Sequence, residues 1–236
     1  MIIHKRKFIA LIAVAVIISL GFLGIAASAF LPTLAEEDRP VIIIDAGHGG
    51  FDGGAVAKDG TVEKDINLKI ALGLERILKF EGFSVVMTRV DDVGTDDVEN
   101  GSIAVRKKND LQNRLKLMKK YPDAIYVSIH LNKFTTTSAS GAQVFYSPKH
   151  KKAADLAQSI QDSIVSLIQP DNKRVIKAGT NGAYLLKFAS VPTVIVECGF
   201  LSNHLELEKL KSEEYQSKLS FAIAAGIKDY YKCKED

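Results

Sequence analysis

The stretch VIIIDAGHGG (Val41–Gly50) joins a strand-forming run to a polar, glycine-rich turn. Its four β-branched apolar residues, Val41–Ile44, predict a strand that is buried on both faces. Asp45 and His48 follow directly, and the glycines beside the histidine allow a sharp turn and close approach of other groups. In open α/β sheets, ligands bind outside the carboxyl ends of the strands. The stretch therefore predicts an α/β sheet with a functional histidine at its edge.

Strand-forming and helix-forming segments alternate along the rest of the chain. In the first helical segment, Ile66, Ile70 and Leu74 recur at helical spacing and Gly82 ends the pattern. This alternation is typical of a single α/β domain with a central, mostly parallel sheet flanked by helices. Helices are predicted over residues 61–81, 104–120, 151–169 and 215–231, and strands over 41–44, 83–88, 124–129, 142–146 and 193–197.

The N-terminal segment predicts export. Lys5, Arg6 and Lys7 precede an apolar run from Phe8 to Phe30, and about 20 apolar residues suffice to cross a bilayer. The basic flank predicts that the N-terminus is cytoplasmic and the rest is outside. The sequence ASA at 27–29 matches a signal-peptidase site, so a cleaved signal is an alternative to the anchor that the long run favours. We expect an anchor over 1–30, a linker over 31–39 and a catalytic domain over 40–236.

The charge of the chain is concentrated in that segment. The chain has 31 basic and 28 acidic side chains, a formal charge of +3. Three cations and no acid lie within the first 30 residues, so the remainder is formally neutral. A neutral domain argues against a nucleic-acid partner. The two cysteines, Cys198 and Cys233, do not form the pattern of a disulfide framework.

Four residues of catalytic type are predicted to meet at one edge of the sheet. His48, His130 and Glu197 lie at the ends of predicted strands, and Glu63 lies near the start of the first helix. Taken singly, each has an ordinary structural explanation, such as a turn histidine or an acid at a helix N-terminus. Together, two histidines and a glutamate suit a catalytic zinc, which takes three protein ligands. A further carboxylate is then needed as acid and base, and Glu197 is free for that role.

Four stretches carry a resemblance to a known family. The stretches IDAGHGGFDGGA, EKDINL, VSIHLN and VIVECGFLSN are similar to the signatures of the zinc-dependent N-acetylmuramoyl-L-alanine amidases, the amidase-3 family. The resemblance covers roughly residues 40 to 232. It implies one zinc ion held by His48, Glu63 and His130, with Glu197 as the catalytic glutamate. The implied reaction is hydrolysis of the amide between N-acetylmuramic acid and L-alanine, which releases stem peptides from peptidoglycan.

Six more residues are candidates for orienting the metal ligands or meeting substrate. A metal-bound histidine usually donates its second N–H to a carboxylate or a carbonyl. An arginine in such a site is either structural or binds a substrate carboxylate. The candidates are Asp45, Asn67, Asn132, Asn203, Arg89 and Arg114.

The arrangement of the chain resembles the germination-specific members of the family in endospore formers. One apolar segment precedes one catalytic domain, and GSIAVRKKNDLQNRLKLM follows an acidic loop. The resemblance implies action on spore cortex, as a first step toward muramic-δ-lactam, in the space between the forespore membranes. We expect the protein to be extracytoplasmic, whether anchored or secreted, and to be controlled by a membrane-associated protein or by its time of expression.

Three alternatives stay open at this point. The first is an amidase of the vegetative cell wall, which would share every site residue. The second is a cysteine hydrolase that uses Cys198 with His130. The third is a peptidoglycan-binding module without catalysis.

Overall fold

The computed structural model describes residues 41–180 and 183–233, in which six strands form one sheet. The strands lie in the order β2-β1-β3-β6-β4-β5. The strands are β1 (Ile42–Ala46), β2 (Val85–Met87), β3 (Ile125–Asn132), β4 (Gln143–Tyr146), β5 (Lys177–Ala178) and β6 (Thr193–Phe200). The helices are α1 (Glu63–Phe80), α2 (Ile103–Lys120), α3 (Lys151–Leu167), α4 (Tyr184–Phe188), α5 (His204–Lys211) and α6 (Glu213–Lys232).

The sheet is mostly parallel, as predicted. β1 pairs in parallel with β2 and β3, and β3 pairs in parallel with β6. β4 runs antiparallel to β6, and β5 pairs in parallel with β4. The carboxyl ends of β1, β3 and β6 therefore lie at one edge, where ligands bind in such sheets.

Helices cover the two faces of the sheet unequally. The main core packs α1, α3 and α6 on one face, with Ile70, Ile160 and Ile223 fully buried in it. A smaller apolar cluster, which includes Ile43 and Met118, joins α2 to the opposite face. Burial on both faces explains the unbroken apolar run of β1, since continuous runs are typical of buried parallel strands.

Three strands run past their predicted ends, since β1 also continues past Ile44 to Ala46, and three short elements were missed. β3 continues past residue 129 to Asn132, and β6 continues past Glu197 to Phe200. A shift of register between His130 and Asn132 keeps the two strands paired there, although polar residues interrupt the apolar pattern. The segments β5, α4 and α5 are too short for hydrophobic periodicity to identify.

The predicted anchor and linker, residues 1–39, lie outside the described residues. Among the helices that the structure does describe, none combines the length and hydropathy needed to cross a membrane. The described residues belong to one compact unit, and the predicted catalytic domain contains all of them.

Candidate active site

The turn after β1 positions His48 through an unusual backbone conformation. The backbone of His48 has a φ of 63°, a left-handed conformation that residues other than glycine rarely adopt. Buried arginines fix the turn: the Nη2 of Arg114 donates to the His48 carbonyl over 2.8 Å, and the Nη2 of Arg89 donates to the Gly47 carbonyl over 3.1 Å. These bonds satisfy carbonyl groups that would otherwise be buried without partners. The histidine is therefore held by the fold.

The structure brings His48, Glu63 and His130 together. The Nε2 of His48 lies 3.3 Å from the Oε1 of Glu63, and the Nδ1 of His130 lies 3.1 Å from the same oxygen. One donor atom from each of the three residues lies within 4.8 Å of the others. Two imidazoles and a carboxylate that face one point are a donor set that zinc accepts.

Glu63 is held rigidly at the start of α1. Only 3% of the residue is exposed. Its Oε1 accepts hydrogen bonds from the side-chain amide of Asn67 and the backbone N–H of Leu131, and its Oε2 accepts from the N–H of Ala55. Burial raises the pKa of Glu63, but hydrogen bonds and charges from His130 and His48 outweigh it and hold the pKa below its ordinary range. Glu63 is therefore ionised, as a metal ligand must be.

Asp52 orients His48, and the sequence analysis missed this residue. The Nδ1 of His48 lies 2.9 Å from the Oδ2 of Asp52, and Lys107 contacts the other carboxylate oxygen at 3.0 Å. Burial lowers the pKa of His48, but Asp52 and Glu63 outweigh it and raise the pKa to about 9. The surroundings thus favour a positive charge at this point. A carboxylate four residues after a turn histidine was the available signal.

Glu197 lies beside the cluster and is not part of it. Its Cα is paired in register with that of His130, so both side chains lie on one face of the sheet. Its Oε2 is buried and has no hydrogen-bond partner among the described residues. The pKa of Glu197 is raised above its ordinary value, and burial is the largest cause. The charge of His130 opposes this shift, whereas the charge of Glu63 adds to it. A buried, unpaired carboxylate is costly unless a ligand or a reaction uses it.

Among the described contacts of the predicted orienting residues, only that of Asn67 is a side-chain hydrogen bond to a side chain of the His–Glu–His cluster, whereas Arg114 binds the backbone carbonyl of His48. Asp45 is fully buried, and its carboxylate binds Arg114, Ser128 and Thr88. Burial raises the pKa of Asp45, but the charge of Arg114 leads the effects that hold it below its ordinary value. Asp45 thus supports the turn through Arg114.

Asn132 and Asn203 lie farther along the same sheet edge. Asn203 caps α5, since its Oδ1 accepts from the N–H groups of Leu205 and Glu206, and its amide donates to the Ala139 carbonyl. The carbonyl of Asn132 accepts from the N–H of Leu201. These contacts join β3, β6 and α5 at the edge of the site.

The side chains of Arg89 and Arg114 are buried and make their hydrogen bonds and ion pairs within the domain. Both are at most 4% exposed. Arg89 donates to the carbonyls of Ala46, Gly47, Asp91 and Lys64, and Arg114 pairs with Asp45 and Asp110. Neither guanidinium is placed to meet a substrate carboxylate.

Cys198 faces away from the site. It belongs to the main apolar core, on the opposite face of β6 from its neighbour Glu197. Burial raises the pKa of its thiol well above the ordinary value, so no thiolate is available for attack. The geometry therefore argues against a cysteine hydrolase.

The comparison with known families decides the enzyme class. Residues 42–229 match the Amidase_3 family, described as N-acetylmuramoyl-L-alanine amidase. The chain belongs to this family. It is therefore an N-acetylmuramoyl-L-alanine amidase that acts on peptidoglycan, and the predicted family and enzyme class are confirmed.

Several amidases are similar to the chain over most of its length. The germination-specific N-acetylmuramoyl-L-alanine amidase of Bacillus subtilis is 35% identical over 196 residues, which cover 83% of this chain and 81% of that protein. The amidase AmiC of Escherichia coli is 31% identical, over 85% of this chain and 55% of its own length. The structure of the CwlD amidase of Clostridioides difficile in complex with the GerS lipoprotein has a TM-score of 0.79 at 38% identity, covering 83% of this chain and 100% of that one.

Proposed function

We propose that this amidase is zinc-dependent, with His48, Glu63 and His130 as the metal ligands. The observation that carries the proposal is the convergence of three donor atoms within 4.8 Å, beside a carboxylate that has no partner. A bound zinc ion supplies a Lewis acid that polarises the amide carbonyl and lowers the pKa of water. The fixed positions of all three side chains suit such a site, since ligand orientation is set in advance.

Glu197 is the acid and base of the proposed reaction. Its carboxylate takes a proton from the water that attacks the carbonyl between N-acetylmuramic acid and L-alanine. It then gives the proton to the departing alanine nitrogen, so that the amide bond breaks to a carboxylic acid and a free amine. The absence of a described partner on Oε2 leaves that oxygen available for both transfers.

Metal content and activity together test the zinc proposal. Purified protein is treated with a chelator, dialysed, and titrated with zinc while metal and turnover are measured. We expect activity to return in proportion to zinc, up to one ion per chain. Full activity in metal-free protein, or zinc that binds equally well to His48→Ala, would contradict the proposal.

Loss of the carboxylate at Asp52 should weaken metal binding. Asp52→Asn keeps the shape but removes the charge that supports His48, so we expect zinc affinity to fall roughly 10- to 100-fold. Competition with a chromophoric chelator measures the affinity. Asp59→Asn is the matched control because Asp59 pairs with Lys211 outside the cluster. Equal affinities in the wild type and Asp52→Asn would remove the orienting role.

Gly54 should be intolerant of a side chain. A Cβ there would lie 2.6 Å from the Oε2 of Glu63 and 2.7 Å from the Cδ2 of His48, and its φ is 70°. Gly60 also has a positive φ, 90°, but nothing lies within 4 Å of its Cβ position. We expect both alanine variants to lose roughly 1–2 kcal/mol from backbone strain, with zinc binding lost only in Gly54→Ala. Unfolding and zinc titration of both variants check this, and equal zinc binding would contradict it.

We infer that the substrate is spore cortex and that the product is a precursor of muramic-δ-lactam. The similarity to the germination-specific Bacillus amidase supports this over a vegetative role. In spores that lack the gene, we expect cortex without muramic-δ-lactam, restored by the wild-type gene and not by Glu197→Gln. Normal cortex with a defect in vegetative wall turnover would favour the vegetative alternative.

The same inference includes location and control. An extracytoplasmic enzyme held by residues 1–30 would act between the forespore membranes. Because the similar CwlD amidase was solved in complex with a lipoprotein, we propose a membrane-associated regulator for this chain as well. Cell fractionation tests the anchor, and full activity of the isolated, zinc-loaded protein would remove the need for an activator.

A further inference from the structure

The side chains of His130 and Glu197 lie side by side on one face of the sheet, and a third side chain on β4 continues this line. Gln143 on β4 is the antiparallel partner of Glu197, just as His130 on β3 is its parallel partner. Paired residues point to the same face, with Cβ atoms roughly 5 Å apart. The side chains of His130, Glu197 and Gln143 therefore form a line that leads from the metal ligands toward β5.

This face is open to solvent on its β4–β5 side. Phe145 pairs with both Ile195 and Lys177, so these three side chains form a second line on the same face. Phe145 and Ile195 are only half-buried, whereas Val144 on the other face is fully buried. Lys177 is exposed. A peptide that leaves the catalytic centre in this direction would cross an accessible, partly apolar floor.

Arg174 is fixed at the far end of the first line. Its Nη1 donates to the Oε1 of Gln143 over 3.2 Å, and its Nε donates to the Ser140 carbonyl over 2.7 Å. The guanidinium carbon lies 4.6 Å from the centroid of the Phe200 ring. Gln143 is itself held, because its Nε2 donates to the Val175 carbonyl over 2.9 Å. The guanidinium is therefore oriented before any ligand arrives.

Arg174 and Lys177 lack the acidic partners that other basic residues near the site have. Arg106 pairs with Asp96, and Arg114 pairs with Asp45. Within residues 41–180 and 183–233, no carboxylate lies within ion-pair distance of Arg174 or Lys177. The oriented Arg174 and the exposed Lys177 are therefore two cations without a carboxylate partner, and an external anion could bind to them.

We propose that Arg174 and Lys177 bind a carboxylate of the stem peptide that the amidase releases. This inference rests on the proposed function. A guanidinium binds carboxylates with two parallel hydrogen bonds. The guanidinium lies about two strand spacings beyond Glu197, on the order of 10 Å. A peptide that extends roughly 3.5 Å per residue covers this distance in two or three residues from the cleaved bond, which selects the second or third residue.

Soluble muramoyl-tripeptides test the subsite. Four substrates are compared, with the carboxyl groups of the second and third residues each free or amidated. We expect amidation of one of them to lower kcat/KM of the zinc-loaded wild type about 30-fold, mainly through KM, as a lost charged hydrogen bond implies. Arg174→Gln should show the same loss on the free substrate and at most a twofold further loss on the amidated one. Lys177→Gln should lower kcat/KM on the free substrate less than Arg174→Gln does. Arg174→Lys should recover part of the preference for the free carboxylate over the amide.

The control is Lys173→Gln, which removes an exposed cation next to Arg174 in the sequence and should keep kcat/KM within about twofold. Equal losses by Arg174→Gln on free and amidated substrates, or a wild type indifferent to amidation, would overturn the subsite. A zinc-loaded wild type that cleaves no substrate would instead contradict the proposed function. In that case calorimetry measures the affinity of the protein for the free tripeptide product, which tests the subsite without turnover. Equal affinities of the wild type and Arg174→Gln for this peptide would overturn the proposed subsite.

Discussion

Glu197→Gln should reduce kcat about 1,000-fold while zinc stays bound. The glutamine has nearly the same shape, so it preserves packing on β6, but it cannot accept the proton of the attacking water. General acid–base catalysis by one positioned group contributes roughly 10²- to 10⁴-fold, and the neighbouring metal ligands are unchanged. The measurement is kcat on muramoyl-peptide together with zinc content of the same sample.

Cys198→Ala is the matched control for this variant. Cys198 follows Glu197 directly but is buried in the opposite face of the sheet. We expect kcat within about twofold of the wild type, since loss of one buried sulfur affects mainly stability. Retained activity in Glu197→Gln would show that another group moves the proton, and a loss of zinc in that variant would show that Glu197 is a ligand.

Arg114→Leu should destabilise the fold by about 3–5 kcal/mol. The substitution leaves Asp45 buried without its cation, and it removes a hydrogen bond to the His48 carbonyl. An uncompensated buried charge is far costlier than a lost surface pair. Denaturant unfolding at pH 7 measures the free energy of unfolding, and a loss below about 1 kcal/mol would contradict the account.

The control is Lys218→Leu, which removes the cation of an exposed ion pair: the side chains of Lys218 and its partner Glu214 are 55% and 77% exposed. We expect a loss of about 0–1 kcal/mol there. The pH dependence gives a second test. In the wild type the pKa of Asp45 is held below its ordinary value, so its stabilising effect is complete above that ordinary value and is lost as pH falls through the lower pKa of the folded protein. In Arg114→Leu, burial without the cation raises the pKa of Asp45, so this carboxyl group becomes protonated above its ordinary pKa. The difference in stability between the wild type and Arg114→Leu should therefore begin to shrink as pH falls toward that ordinary value, and should shrink further below it as the wild type loses the contribution of Asp45.

Sequence patterns identified the residues that interrupt apolar runs. His48, His130 and Glu197 follow or end strand-forming segments, and this irregularity marked them as candidates. Their assembly with Glu63 at one sheet edge follows from parallel topology, which the alternation of strands and helices predicts. The main elements and the residues of the cluster were therefore accessible without coordinates.

Contacts between distant segments were not accessible from the sequence. Arg114 and Asp45 are 69 positions apart in the sequence, so their buried ion pair depends on how α2 packs against β1. The pairing of Gln143 with Glu197 depends on an antiparallel strand within a mostly parallel sheet. Without that pairing, nothing in the sequence distinguishes Arg174 from the other arginines as the cation beside these two side chains.

Mass spectrometry of digested peptidoglycan is the most direct test of the bond that this amidase cleaves. Purified, zinc-loaded protein is incubated with peptidoglycan, and the soluble and insoluble products are analysed separately. We expect free stem peptides that begin with L-alanine and glycan strands whose muramic acid carries a free carboxyl group. Fully zinc-loaded protein that releases no such peptides, or that cleaves at another bond, would contradict this expectation.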